Sequence, residues 1–244
     1  MNIAFIRTIR SSEPIERFVF GYGRLCCEDF WEVFLLAANG YGVGATKLLR
    51  TLYEHAVTLH YLNEHPDELN DFYDFSYVTE HKLIKPILET FGDGAFTNTS
   101  VSKAEVEERF QGVKDRFKIT DCKKCGTQKF NHTWSKLDFI SMAKQTGSLG
   151  SLVVPAYYVP LTHTHSSFAA LASRLSMSDG GGVSFVPTAQ RKEADGALIT
   201  AHNIILHVLD IQKERFAVAG LSEKLKVCFQ DFLDIWIGKN TKAE

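Results

Sequence analysis

The sequence predicts an all-α chain of about seven or eight helices. Three observations carry this. Apolar residues recur at helical spacing through long segments, as Phe18, Leu25, Phe30, Phe34 and Leu35 do between Ile15 and Ala38. Strand signals are few, the best being the short run Val183–Ser184–Phe185–Val186. Glycine and proline fall between the periodic segments and divide the chain into helix-sized pieces.

The first helix starts at Ser11–Ser12–Glu13–Pro14, where proline is tolerated in the first turn. The run Asn39–Gly40–Tyr41–Gly42–Val43–Gly44 marks a turn or a close helix crossing, since each glycine inside a helix costs about 1 kcal/mol. A second helix then runs from Val43 to Asn63 and stops before Pro66, because the residue preceding proline avoids helical geometry. A third is predicted from Pro66 to Phe91, with a kink at Pro86. After a loop over Gly92–Ser100, the Ser100–Val101–Ser102 start leads a helix to Phe117. Lys118–Thr133 reads as an irregular polar insertion carrying cysteines. Helices return over Ser135–Gln145, Val154–Ser176, Thr188–Ala219 and Ser222–Ile237. The domain reading is a bundle over 1–177, a flexible connection over 178–188 and C-terminal helices over 189–244 that pack on the same bundle.

Composition narrows the function classes. The 244 residues are 45% hydrophobic with a formal net charge of −2, which argues against a broad basic nucleic-acid surface but leaves room for a local groove. No secretory leader and no apolar run long enough to cross a membrane is read in the chain. Five cysteines at uneven spacing suggest reduced thiols and a cytoplasmic protein. Asp179–Gly180–Gly181–Gly182 lacks the Lys–Ser/Thr of a phosphate-binding loop.

Two stretches carry polar chemistry. In KLLRTLYEHAVTLHYL, Arg50 and His55 match an Arg–x4–His pattern literally. At 100° per residue, however, they stand roughly 140° apart on a straight helix. His55 falls inside the stripe of Leu48, Leu52, Leu59 and Leu62 and reads as a core histidine with a partner. Arg50 faces elsewhere, one turn before Glu54. The second stretch, AYYVPLTHTHSSF, holds Tyr157, His163 and His165, and histidine beside tyrosine suits proton transfer near neutral pH. Separately, Cys122-x-x-Cys125 with His132 has the spacing of half a zinc site, which His81, Cys26 or Cys27 could complete in space, and zinc and a redox pair stay open beside a plain polar loop.

Arg50 and Glu54, followed a hundred residues later by Tyr157 and His165, together resemble a large bacterial family of uncharacterised, HEPN-like helical proteins related to abortive-infection proteins. LLAANGYGVGATKLLR and WSKLDFISM resemble segments of the same family, so the likeness spans residues 30–176. Where the family often has serine four residues before the histidine, this chain has Leu161. The resemblance implies a HEPN-like helical bundle and, as one reading, a metal-independent RNA endonuclease in stress or phage defence, without a cofactor. It makes Arg50, Glu54, Tyr157 and His165 the leading candidate site residues, with His55 and His163 behind them. RNA or a nucleotide and a second copy of the chain are the partners it suggests. A non-catalytic nucleotide or small-ligand binder and a dimerisation module remain as alternatives.

Overall fold

A computed structural model describes residues 8–96, 102–121, 125–166, 168–178, 180–185, 190–216 and 218–238. The fold is all-α. Its helices are α1 (Pro14–Ala38), α2 (Gly42–Glu64), α3 (Leu69–Phe91), α4 (Lys103–Val113), α5 (Phe139–Gln145), α6 (Val159–Thr164), α7 (Phe168–Ala172), α8 (Arg191–Phe216) and α9 (Leu221–Phe232). Two antiparallel hairpins interrupt them. One pairs β1 (Lys118–Thr120) with β2 (Gln128–Phe130), and the other pairs β3 (Leu175–Met177) with β4 (Val183–Phe185). Among the described residues no helix is long and apolar enough to cross a membrane.

The chain forms two compact units, Met1–Glu64 with Ile140–Glu244, and His65–Phe139. In the first, α1, α2 and α8 pack on one another. Pro14 opens α1 because its fixed φ suits a first helical position and its missing N–H is not needed there. The side of α1 in the core carries Val19, Cys26, Val33 and Ala37, whereas Leu25, Phe34 and Leu35 are exposed. Of the predicted periodic residues Phe18 is buried and Phe30 half-buried, so the apolar stripe lies only partly in the core. A helix apolar on several faces has a period that does not say which face is buried.

α2 enters this core through a close backbone crossing at Gly42. A Cβ there would come within 2.5 Å of the Gln190 carbonyl oxygen and 2.6 Å of the Ala194 nitrogen at the start of α8. Further along α2, Leu49, Leu52, Tyr53, Val57, Leu59 and Leu62 are almost wholly buried. A buried side-chain bond ties α8 to α1, with Gln212 Nε2 donating to the Val19 carbonyl at 2.6 Å. The two histidines of α8 are half-buried and partnered: His202 accepts from Trp236 Nε1 at 3.4 Å, and His207 lies 3.4 Å from the Ser148 hydroxyl.

The second unit has its own small core of Val78, Phe110, Val113 and Phe117, with Phe75, Tyr77 and Phe130 against it. Ser102 and Glu105 form a reciprocal capping box at the start of α4, two residues after the predicted Ser100 start, which lies outside the described residues. α3 continues through Pro86. The insertion read as irregular contains the β1–β2 hairpin, whose three-residue strands are too short to leave a periodic signal. The predicted single helix over Val154–Ser176 is likewise broken, into a π-turn (Val154–Tyr158), α6 and α7, and its last residues enter β3.

The crossing at Gly42 predicts a contrast between two glycines. Gly42→Ala is expected to cost about 1–3 kcal/mol in urea unfolding, because the new methyl meets backbone on both sides. Gly21→Ala, on α1 with nothing within 4 Å of the added Cβ, is expected to gain about 0.5–1 kcal/mol. Equal effects of the two substitutions would show that the helices do not meet so closely.

Candidate functional site

Lys47, Arg50 and Glu54 recur at i, i+3 and i+7 along α2 and so share one side of the helix. That side meets α6 and the π-turn before it. Two prolines shape the approach. Pro155 opens the π-turn and Pro160 opens α6. Pro160 has no N–H to give the preceding turn and its ring crowds the carbonyl there, and the widened turn, closed by Val159 N–H on the Val154 carbonyl, relieves both. The side chain this presents to α2 is Tyr157.

The Arg50 guanidinium is held from two directions. Nε donates to Glu54 Oε1 at 2.7 Å and Nη2 donates to the Tyr157 hydroxyl at 3.3 Å. Its central carbon also stands 4.5 Å from the Tyr157 ring centroid, within range of a cation–π contact. The structure thus joins three of the four leading candidates. His165 is placed differently: α6 ends at Thr164, and His165 is exposed on extended backbone. Among the described residues no hydrogen bond or ion pair links it to Arg50, Glu54 or Tyr157.

His163 sits within α6, half-buried. Burial pushes its pKa below the ordinary 6.5, Lys47 and Arg174 push it further the same way, and Glu193 opposes them. Lys47 and Arg174 therefore belong to the site electrostatically, although sequence reasoning did not name them. Lys47 was legible, lying one helical turn before Arg50. Arg174 had no local signal. Its Nε is buried and has no hydrogen-bond partner among the described residues, and its guanidinium carbon lies 5.1 Å from the Phe185 ring centroid.

His55 points to a different neighbour. Its Nδ1 lies 2.7 Å from Asp29 Oδ2 on α1, and the Tyr22 ring meets it edge-on with centroids 5.5 Å apart. The partner predicted for a core histidine is present, but the ring is half-buried and not sealed in the core. Arg50 and His55 face different helices, as their helical angle requires.

Of the predicted zinc ligands, Cys122 lies outside the described residues. Cys125 is exposed, with its sulfur 2.9 Å from the Thr127 hydroxyl, and His132 is exposed. His81, another conceivable ligand, is 3.1 Å from Glu107 and stacks on Phe110 at 3.7 Å. Among the described residues no group of three or more His, Cys, Asp or Glu is arranged to hold a metal ion.

Fold and site together define an all-α protein with an arginine clasped by a carboxylate and a tyrosine, and with Lys47, one helical turn before that arginine, acting on His163 of α6. The chain belongs to DUF5677, a family of unknown function, whose model matches residues 17–182 and takes in most of α1 and all of α2 through α7. No curated protein and no solved structure matches it.

Two measurements test the site's physics. Tyr157→Phe keeps the ring over Arg50 and removes the hydroxyl that accepts from Arg50 Nη2, so it is expected to cost about 0.5–1 kcal/mol. Tyr157→Ala removes the ring as well and is expected to cost about 2 kcal/mol, less than for a fully buried aromatic. Equal losses would mean that the ring contributes nothing.

The pH dependence follows from the histidines. The folded chain binds a proton at His163 less readily than the unfolded chain, and His202 and His207 are shifted the same way by burial. Stability is therefore expected to fall as pH drops below about 6.5, where the unfolded chain protonates first, and to level off once the folded histidines protonate too. As pH drops below about 6.5, His163→Gln should show a shallower fall in urea midpoint than the wild type. Parallel curves would refute the shift.

Proposed function

We propose that the side of α2 facing α6 recognises the phosphodiester of RNA, and that the chain is a HEPN-like, metal-independent endoribonuclease acting in stress or phage defence. The observation that supports this is the Arg50 guanidinium, oriented by Glu54 and Tyr157, with Lys47 one helical turn away acting, like Arg174, against protonation of His163. Two-point anchoring pre-orients a planar cation for an anion, and a neutral imidazole is the form that accepts a proton.

In the reaction, His163 takes the proton of the RNA 2′-hydroxyl, whose oxygen attacks the adjacent phosphorus. The P–O2′ bond forms and the P–O5′ bond breaks, leaving a 2′,3′-cyclic phosphate and a 5′-hydroxyl. His165 in its protonated form is the candidate donor to the departing 5′-oxygen, and Lys47 and Arg50 stabilise charge gathering on the phosphoryl oxygens. The nucleophile belongs to the RNA, so the step needs no metal-bound water.

A non-catalytic reading rests on a separate observation: both hydrogen bonds of Arg50 are internal to the fold, as in a clasp that fastens the π-turn before α6 to α2. The dimerisation reading draws on Trp31, Phe34 and Leu35, which lie exposed at i, i+3 and i+4 on α1.

The test is cleavage of a labelled single-stranded RNA in EDTA. Wild type is expected to release cyclic-phosphate ends, and Arg50→Met and His163→Ala to lose about 10²–10⁴ of the rate with unchanged circular dichroism. His165→Ala reports whether that side chain is the acid. RNA retained but uncut, with the 2′-deoxy analogue held equally well, supports the binder. Neither cleavage nor retention, together with a stable dimer in sedimentation, supports the structural module.

A further inference from the structure

Away from Arg50, a cavity of about 280 Å³ opens between the N-terminal half of α1 and the C-terminal end of α8. We infer that this cavity binds a small aromatic carboxylate, with the anion on Arg24 and the ring among Phe20, Leu209 and Phe216. Three features converge on that ligand.

The first is an unanswered donor. Arg24 Nη1 is buried and has no hydrogen-bond partner among the described residues, and Nη2 lies 3.9 Å from Glu28 Oε1, beyond hydrogen-bonding distance. A buried guanidinium N–H left without an acceptor is costly, and a carboxylate answers its planar fork with two oxygens.

The second is charge. Arg10 also lines the cavity, and no carboxylate does among the described residues. The volume is close to the lower end for small-molecule sites.

The third is shape. Phe20 and Phe216 stand edge to face with centroids 6.3 Å apart, and Leu209 completes an apolar wall that suits a ring better than water. The wall is pinned by Gln212, whose amide fits only because residue 23 is glycine. A Cβ at Gly23 would come within 2.0 Å of Gln212 Nε2.

The test uses the full chain with benzoate and its neutral near-isostere benzamide, followed through the Gln212 side-chain amide resonances and the thermal midpoint. Benzoate is expected to shift both saturably, and benzamide to bind at least roughly tenfold more weakly. Arg24→Met should weaken benzoate roughly tenfold to a hundredfold, whereas Arg50→Met should leave it unchanged. Should Arg24→Met fail to fold by circular dichroism, Leu209→Trp fills the apolar end with Arg24 in place and should also abolish binding. No saturable response to benzoate, equal binding of benzamide, unweakened benzoate binding by a folded Arg24→Met variant, or binding that survives in a folded Leu209→Trp variant would overturn the assignment.

Discussion

The enclosure of α2 governs the rest of the first unit. It packs on α1, α8, α6 and the π-turn, so its polar side chains must be satisfied by its own backbone or by the helix each one faces. The solutions differ along its length. Thr46 and Thr58 turn back to the carbonyls of Gly42 and Glu54, four residues earlier. Tyr53 reaches the Leu149 carbonyl at 3.2 Å, and burial pushes its phenol up to about 12, so it stays a donor. His55 goes to Asp29, and Arg50 to Glu54 and Tyr157. His60 is the exception, with a buried Nδ1 that has no partner among the described residues.

That enclosure is also what makes the crossing at Gly42 consequential. With α8 against the start of α2, Glu193 in the first turn of α8 comes near enough to act on His163. The charge around α6 is thus assembled from α2, α8 and the residue preceding β3. Burial of His163 and the cations beside it act in the same direction, both disfavouring the imidazolium.

Much of the fold was legible because long helices leave long periodic signals. α1, α2, α3 and α8 were each placed within a few residues, and the best strand signal, Val183–Val186, falls on β4, within the stretch 178–188 read as a flexible connection. What escaped was short or depended on tertiary contact. Val154–Ser176 looks helical throughout, and nothing local shows that Pro160 forces a π-turn or that Leu175 pairs with Phe185. For the site, helical angle separated Arg50 from His55, and the structure gives them the different neighbours that angle implies. Arg174 could not be found the same way, since its effect on His163 arises only after the chain has folded.

The clasp and anion recognition do not compete for the same atoms. A guanidinium carries five N–H donors. Arg50 spends Nε on Glu54 and one Nη2 hydrogen on Tyr157, so three remain, and the side chain keeps 23% of its exposure. Lysine could not combine these roles, because an ammonium has three donors and no plane to lay against the ring. The internal bonds fix the plane of the group, and a fixed plane determines where its free N–H bonds point. Holding the π-turn to α2 and presenting a rigid, partly exposed cation are therefore consequences of one geometry, which a flexible, unclasped arginine on the same turn would not provide.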